Sequence, residues 1–150
     1  MNILFICTGN QCRSPIAEAL MKKMVQGKNW KDMYITSAGL KTANARSAHP
    51  NAITVCKDAG LDLSQHRSQL LTEKIIEDSD IILPMDQNHI TELQTRFPKS
   101  GKKVKLLTSF SAKYQNMDIS DPLRGGKFGF ISSMGIIRDS LEGLLRTLKR

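Results

Sequence analysis

Asn2-Ile3-Leu4-Phe5-Ile6-Cys7-Thr8-Gly9-Asn10-Gln11-Cys12-Arg13-Ser14-Pro15-Ile16-Ala17-Glu18-Ala19-Leu20 opens the chain and decides its architecture. Residues 2–7 form a short apolar run rich in β-branched and aromatic side chains, which suits a strand buried on both faces. The run ends at Thr8-Gly9-Asn10, where the turn-forming residues mark a loop. From Ser14 onward the apolar residues of SPIAEALMKKMVQ recur at helical spacing, with Ser14 as candidate N-cap and Pro15 at the first helical position. The order is strand, tight loop, helix.

The same alternation continues outward from that unit. MYITSAG reads as a second strand, PNAITVCKDAG as a helix closed by Gly60, DIILPM as a third strand, and QNHITELQTRF as a helix stopped by Pro98. KKVKLLTSF supplies a fourth strand, and SSMGIIRDSLEGLLRTLKR a terminal helix. Strands separated by helices imply an α/β fold, here a single domain over residues 1–150 with a four-stranded parallel sheet and helices on both faces. A chain of 150 residues is long enough to bury roughly 70% of the surface its unfolded form exposes. Ligands in such sheets bind beyond the carboxyl ends of the strands, and the loop after Cys7 is at such an end.

That loop places Cys7 and Arg13 around a turn that runs into a helix N-terminus. Backbone N–H groups and the helix dipole there favour an anion. Such a site stabilises a cysteine thiolate, and Arg13 adds a planar fork that matches two phosphate oxygens. Gly9 and Asn10 suit a tight cradle because both tolerate left-handed backbone. Ser14 could donate its hydroxyl to the thiolate. Taken alone, the pair also fits a buried Cys7 that ends a core strand and an Arg13 in a surface ion pair; the strand-loop-helix context favours the phosphate cradle. Residues Thr8, Gly9, Asn10, Gln11, Cys12, Arg13 and Ser14 are the expected phosphate-binding set.

With CTGNQCRSPIAEAL at the start, SAG at 37–39, LSQHRS at 63–68, MDQNH at 85–89 and Asp121-Pro122 downstream, the chain resembles the low-molecular-weight protein tyrosine phosphatase family along essentially its whole length. The resemblance implies Cys7 as nucleophile, Arg13 as phosphate ligand, Ser14 as thiolate partner and Asp121 as general acid. It also implies that Asn10, Ser37 and His66 form a hydrogen-bonded set that shapes the loop, and that Gln11, Leu40 and Leu123 wall the substrate. Chemistry supports the acid, because a leaving alcohol or amine needs a proton and Asp121 lies in a long stretch able to close over substrate. An Asp-Pro pair is also a turn initiator. Asp118 is the competing acid. His66 has a structural role in the family; His49, at a helix start, and His89, on a helix, have no partner suggested by spacing. Cys12 reads either as a partner able to trap oxidised Cys7 in a disulfide or as a small core side chain.

The substrate reading divides. Isoleucine before the second loop cysteine resembles the tyrosine phosphatases and threonine the bacterial protein-arginine phosphatases, and Gln11 matches neither. After Asp121-Pro122 the family usually carries an aromatic wall, whereas this chain has Leu123-Arg124-Gly125-Gly126, with Phe128 and Phe130 further on. Phosphotyrosine is the first expectation, and phosphoarginine the alternative toward which Gly125-Gly126 and the CTGN opening lean. Thiol-dependent arsenate reduction would need cysteines that relay a disulfide outward, and the remaining thiol, Cys56, falls within a helix.

Composition narrows the classes further. Cys7, Cys12 and Cys56 show no paired zinc spacing, and no metal or cofactor is expected, since Arg13 and the loop N–H groups supply the electrostatic stabilisation. The net charge of +8 is spread over KNWK, KSGKK and LKR without a long block, which argues against specific nucleic-acid binding. The N-terminus has no basic segment before its apolar run, and no stretch approaches ~18 apolar residues, so a cytoplasmic protein without membrane contact is expected. The expected partner is a phosphorylated protein, and the expected state a monomer or weak homodimer.

Overall fold

The computed structural model describes residues 1–28, 30 and 32–148. β1 (Asn2–Cys7) is the central strand of a three-stranded parallel sheet, flanked by β2 (Tyr34–Gly39) and β3 (Ile81–Pro84) in the order β2-β1-β3. Cys7 lies opposite Gly39, and Ile6 opposite Pro84. The strand alternates across the sheet. Ile3, Phe5 and Cys7 pack into a core shared with α1 (Arg13–Val25), α2 (Pro50–Asp58) and α5 (Gly126–Thr147). Leu4 and Ile6 face the opposite core, with Ile76 of α3 (Glu73–Asp78) and Leu93 of α4 (Gln87–Arg96). Ile3, Leu4, Phe5 and Ile6 are all 0% exposed, and burial of each contributes about 1.5–3 kcal/mol. Burial on both faces explains why the opening run is continuously apolar.

Three expectations are corrected. The fourth strand reduces to a single parallel bridge between Val104 and Ile82, with Lys105 N–H donating to the Ile82 carbonyl (3.0 Å). On either side lie 3₁₀ turns, Pro98–Lys103 and Leu107–Phe110. Leu106 is already the N-cap of the second turn and Leu107 its first residue, so the extended backbone ends after one bridge. Next, α1 starts at Arg13 with Cys12 at its N-cap, so Ser14 lies inside the helix and does not cap it. Finally, α5 begins at Gly126, well before residue 132, and α3 has no counterpart in the sequence reading. Asn29 and Lys31 of the KNWK segment, and Lys149 and Arg150 of the expected terminal helix, lie outside the described residues. No helix among the described residues is long and apolar enough to cross a membrane.

Because β1 is central, the chain leaves its end toward β2 on one side and returns to β3 on the other. The ends of β1 and β3 therefore flank one crevice, as expected at a switch in strand order.

Candidate active site

A cavity of about 210 Å³ opens at the end of β1, lined by Cys7, Thr8, Gly9, Gln11, Cys12, Arg13, His49, Asp121 and Leu123. Its floor is the loop from Thr8 to Cys12. Among the described residues, the backbone N–H groups of Gly9, Asn10, Gln11 and Cys12 donate to no protein acceptor. They adjoin the first turn of α1, whose own N–H groups are free by construction. Together they form a cradle for an anion.

The loop is held from behind by Asn10, which is fully buried in left-handed backbone (φ 54°). Each polar group of its side chain is engaged. Nδ2 donates to Ser14 Oγ and Ser37 Oγ, both at 2.9 Å, and Oδ1 accepts from Gln69 N–H at 2.9 Å. His66 Nε2 lies 2.7 Å from the Asn10 carbonyl, which assigns it the proton. Ser37 in turn donates to Glu18 Oε1 (2.6 Å). Gly39 closes the rear: a Cβ there would lie 2.9 Å from the Thr8 carbonyl and 3.1 Å from Asn10 Cβ, so only glycine lets β2 approach this closely.

The network gives Ser14 a direction. Its Oγ accepts from Asn10 and lies 2.9 Å from Cys7 Sγ, so its own hydrogen is free to point at the sulfur. Cys7 is 2% exposed and, among the described residues, has this single side-chain partner. Arg13 is 4% exposed and, among the described residues, is fixed through one nitrogen only, Nη1, which donates to Asp86 Oδ2 (3.1 Å) and the Ile119 carbonyl (2.8 Å). Nε and Nη2 are left for two oxygens of a bound phosphoryl group.

Asp86 and His89 are residues whose importance the sequence reading missed. Asp86 caps α4 by accepting from His89 N–H (2.9 Å) while also holding Arg13. His89 is buried, its Nε2 lies 2.9 Å from Thr8 Oγ1, and burial pushes its protonation below the usual histidine range, so it is neutral at neutral pH. One chain of contacts, Arg13 to Asp86 to His89 to Thr8, thus ties both ends of the cradle to α4. The MDQNH match at 85–89 was the available signal.

The other expected residues divide. Asp121 lines the cavity and caps the 3₁₀ turn Pro122–Gly125 by accepting from Leu123 N–H (3.1 Å). Asp118 does not line it, and its Oδ1 accepts from Gln87 N–H (2.9 Å). Leu123 is on the wall and 53% exposed. Leu40, expected there, is a correction: it is 2% exposed and packs with Ala38 and Leu71 in the core on the α4 side. Its N–H extends the ladder by donating to the Cys7 carbonyl (3.0 Å), and strand alternation then places it with Ala38 two positions earlier. Phe130 is buried and Phe128 is 83% exposed, and neither lines the cavity. Gln11 is on the wall, with Nε2 donating to the Ser47 carbonyl (2.9 Å). Cys12 is half-buried; burial, then the charge of Cys7, pushes its thiol up to about 12.

Comparison with known proteins places this geometry. The family model described as low molecular weight phosphotyrosine protein phosphatase matches residues 2–150. A probable low molecular weight protein-tyrosine-phosphatase, EpsP, of Ralstonia nicotianae is 33% identical over 141 residues, covering 93% of this chain and 90% of that protein. A protein-arginine-phosphatase of Bacillus subtilis is also 33% identical, over 150 residues, covering 100% of this chain and 95% of that one. Among solved structures, a Cys-to-Ser variant of the YwlE arginine phosphatase with a phosphorylated active-site serine superposes with a TM-score of 0.92 at 29% identity, covering 100% and 97% of the two chains. The tyrosine phosphatase AmsI of Erwinia amylovora gives 0.88 at 31%, covering 99% and 93%. With a family match over residues 2–150, this protein belongs to the low molecular weight phosphotyrosine protein phosphatase family.

Proposed function

We propose that the protein hydrolyses phosphotyrosine in protein substrates through a cysteinyl-phosphate intermediate. The observation that carries the reading is the Asn10 to Ser14 to Cys7 relay beneath a row of unpartnered loop N–H groups, with two guanidinium nitrogens of Arg13 free. The thiolate of Cys7 attacks phosphorus, the bond from phosphorus to the leaving oxygen breaks, and Asp121 delivers its proton to that oxygen. Water then attacks phosphorus, gives its proton to the Asp121 carboxylate, and the sulfur–phosphorus bond breaks to release phosphate. Loop N–H groups and Arg13 hold the three equatorial oxygens through both steps, where their preorganisation lowers the barrier.

A second reading, hydrolysis of phosphoarginine, is favoured by Gln11. Its Nε2 is committed to Ser47, which leaves Oε1, the atom nearest to a Cβ built on Gly9 at 3.7 Å, as an acceptor beside the loop. A guanidinium carries donors only and needs such an acceptor. Turnover of matched phosphotyrosine and phosphoarginine peptides tests the assignment. The expected outcome is a higher kcat/KM for phosphotyrosine, and the reverse order would transfer the function to arginine.

The same geometry carries a redox expectation. When peroxide oxidises Cys7 to the sulfenic acid, the neighbouring Cys12 sulfur attacks it, forming the disulfide and releasing water. Burial, the larger cause of the raised Cys12 thiol, persists on oxidation, and the smaller contribution from the Cys7 charge is removed. Mild peroxide should inactivate the enzyme reversibly, with a Cys7–Cys12 disulfide visible by mass spectrometry and cleared by a dithiol. Undiminished recovery in Cys12→Ser would reduce Cys12 to a packing residue.

A further inference from the structure

Leu123, the residue after Asp121-Pro122, gives the cavity wall an aliphatic edge, and neither Phe128 nor Phe130 lines the cavity, yet the wall is not without a ring. His49 lines the cavity beside Gln11 and Cys12 and is the one aromatic side chain there among the described residues. Its ring is held at two points and its backbone at a third. It stacks on Phe130 with centroids 5.1 Å apart and planes inclined by 27°, and Phe130 itself is immobilised in the core at 0% exposure. Nδ1 accepts from Asn51 N–H (3.0 Å), so the imidazole serves as N-cap of α2. His49 N–H donates to the Gln11 carbonyl (2.8 Å), and the Gln11 side chain returns a bond to Ser47, so this segment is stitched to the phosphate loop twice.

The cap also defines the charge. A ring nitrogen that accepts a hydrogen bond carries no proton, which leaves the proton on Nε2 and the ring neutral. A neutral, flat surface adds nothing to phosphate attraction and acts on whatever lies beyond the phosphoryl group. Serine, threonine, aspartate and asparagine cap helices at least as well, so the cap alone does not call for an imidazole at this position.

We infer that His49, backed by Phe130, is the aromatic specificity wall of this site and stacks on the planar leaving group of the substrate, the phenyl ring of phosphotyrosine. The inference rests on the phosphatase reading above and deepens it. It places the aromatic contact at the start of α2, across from the aliphatic edge that Leu123 provides. The ring thereby belongs to a different element from the one that carries Asp121.

Binding of benzylphosphonate and of inorganic phosphate, measured by calorimetry on the wild type and on His49→Asn, tests this. Asparagine preserves the helix cap and removes the ring. Benzylphosphonate should bind about 3- to 10-fold more weakly to His49→Asn, the size of one aromatic pair, while inorganic phosphate binds as before. His49→Phe, which keeps a ring and loses the cap, should retain most of the benzylphosphonate affinity. Unchanged benzylphosphonate binding in His49→Asn, or an equal loss for both ligands, would overturn the wall. Failure of the wild type to bind inorganic phosphate would instead overturn the cradle on which the phosphatase reading stands, and the wall with it.

Discussion

Cys7→Ser should bring turnover of phosphotyrosine peptides down to the level of buffer while leaving the affinity for inorganic phosphate within about 2–3-fold of wild type. The asymmetry follows from what each group does. On the proposed reading phosphate is held by the loop N–H groups and by Nε and Nη2 of Arg13, none of which the substitution touches, and a serine hydroxyl is close in size to the thiol. What disappears is the thiolate: a serine hydroxyl is un-ionised at neutral pH and needs a base to attack, and any phosphoserine it forms must leave as an alkoxide, which water displaces far more slowly than a thiolate. Ser14 cannot serve as that base, because its Oγ already accepts from Asn10 and its hydrogen faces the position of the sulfur. Acid quenching of the wild type during turnover should trap one phosphoryl group on Cys7, located by peptide mass spectrometry. Label on Ser14 or on a histidine would remove the cysteine mechanism altogether.

The parts of this site that were legible in the sequence are those made by contiguous chain. Cys7, Gly9, Asn10, Arg13 and Ser14 sit within one strand-loop-helix unit, where turn residues, helix periodicity and the charge preference of a helix N-terminus all act locally. The contacts that hold the unit in shape come from far away. Arg13 meets Asp86 and the Ile119 carbonyl, Thr8 meets His89, and Asn10 meets Gln69, and nothing in the spacing of those residues announces the pairing. His89 read as bland for that reason, although it is among the buried polar residues of the fold. The lost fourth strand shows the limit from the other side. KKVKLLTSF has strand-like composition, but Lys103 Nζ caps the end of α3 by donating to the Ile76 carbonyl (2.9 Å), and Leu106 and Leu107 are drawn into the core together. These tertiary demands leave room for one bridge to β3.

Asp121→Asn should lower kcat for phosphotyrosine by about 10²- to 10⁴-fold, the scale of losing a general acid, with little change in substrate affinity. Asparagine is the informative replacement because Asp121 carries a turn cap as well as the proposed proton. Its Oδ1 caps the turn Pro122–Gly125, and asparagine retains that acceptor, so the loop keeps its shape while the transferable proton is lost. The loop is in any case anchored elsewhere, by Ile119 N–H to the Met85 carbonyl (2.9 Å) and by Arg13 to the Ile119 carbonyl. Proton donation matters in proportion to the basicity of the leaving oxygen. The loss should therefore shrink across a series of aryl phosphates as the phenol becomes more acidic, whereas a purely structural defect would depress the whole series equally. Asp118→Asn is the control, since Asp118 lies off the cavity and is occupied with Gln87 N–H at the start of α4. It should leave the slope of rate against leaving-group acidity unchanged. If the steepened slope appears in Asp118→Asn and not in Asp121→Asn, the acid is misassigned while the thiolate chemistry at Cys7 stands, because phosphorylation of the sulfur is read independently by acid quench.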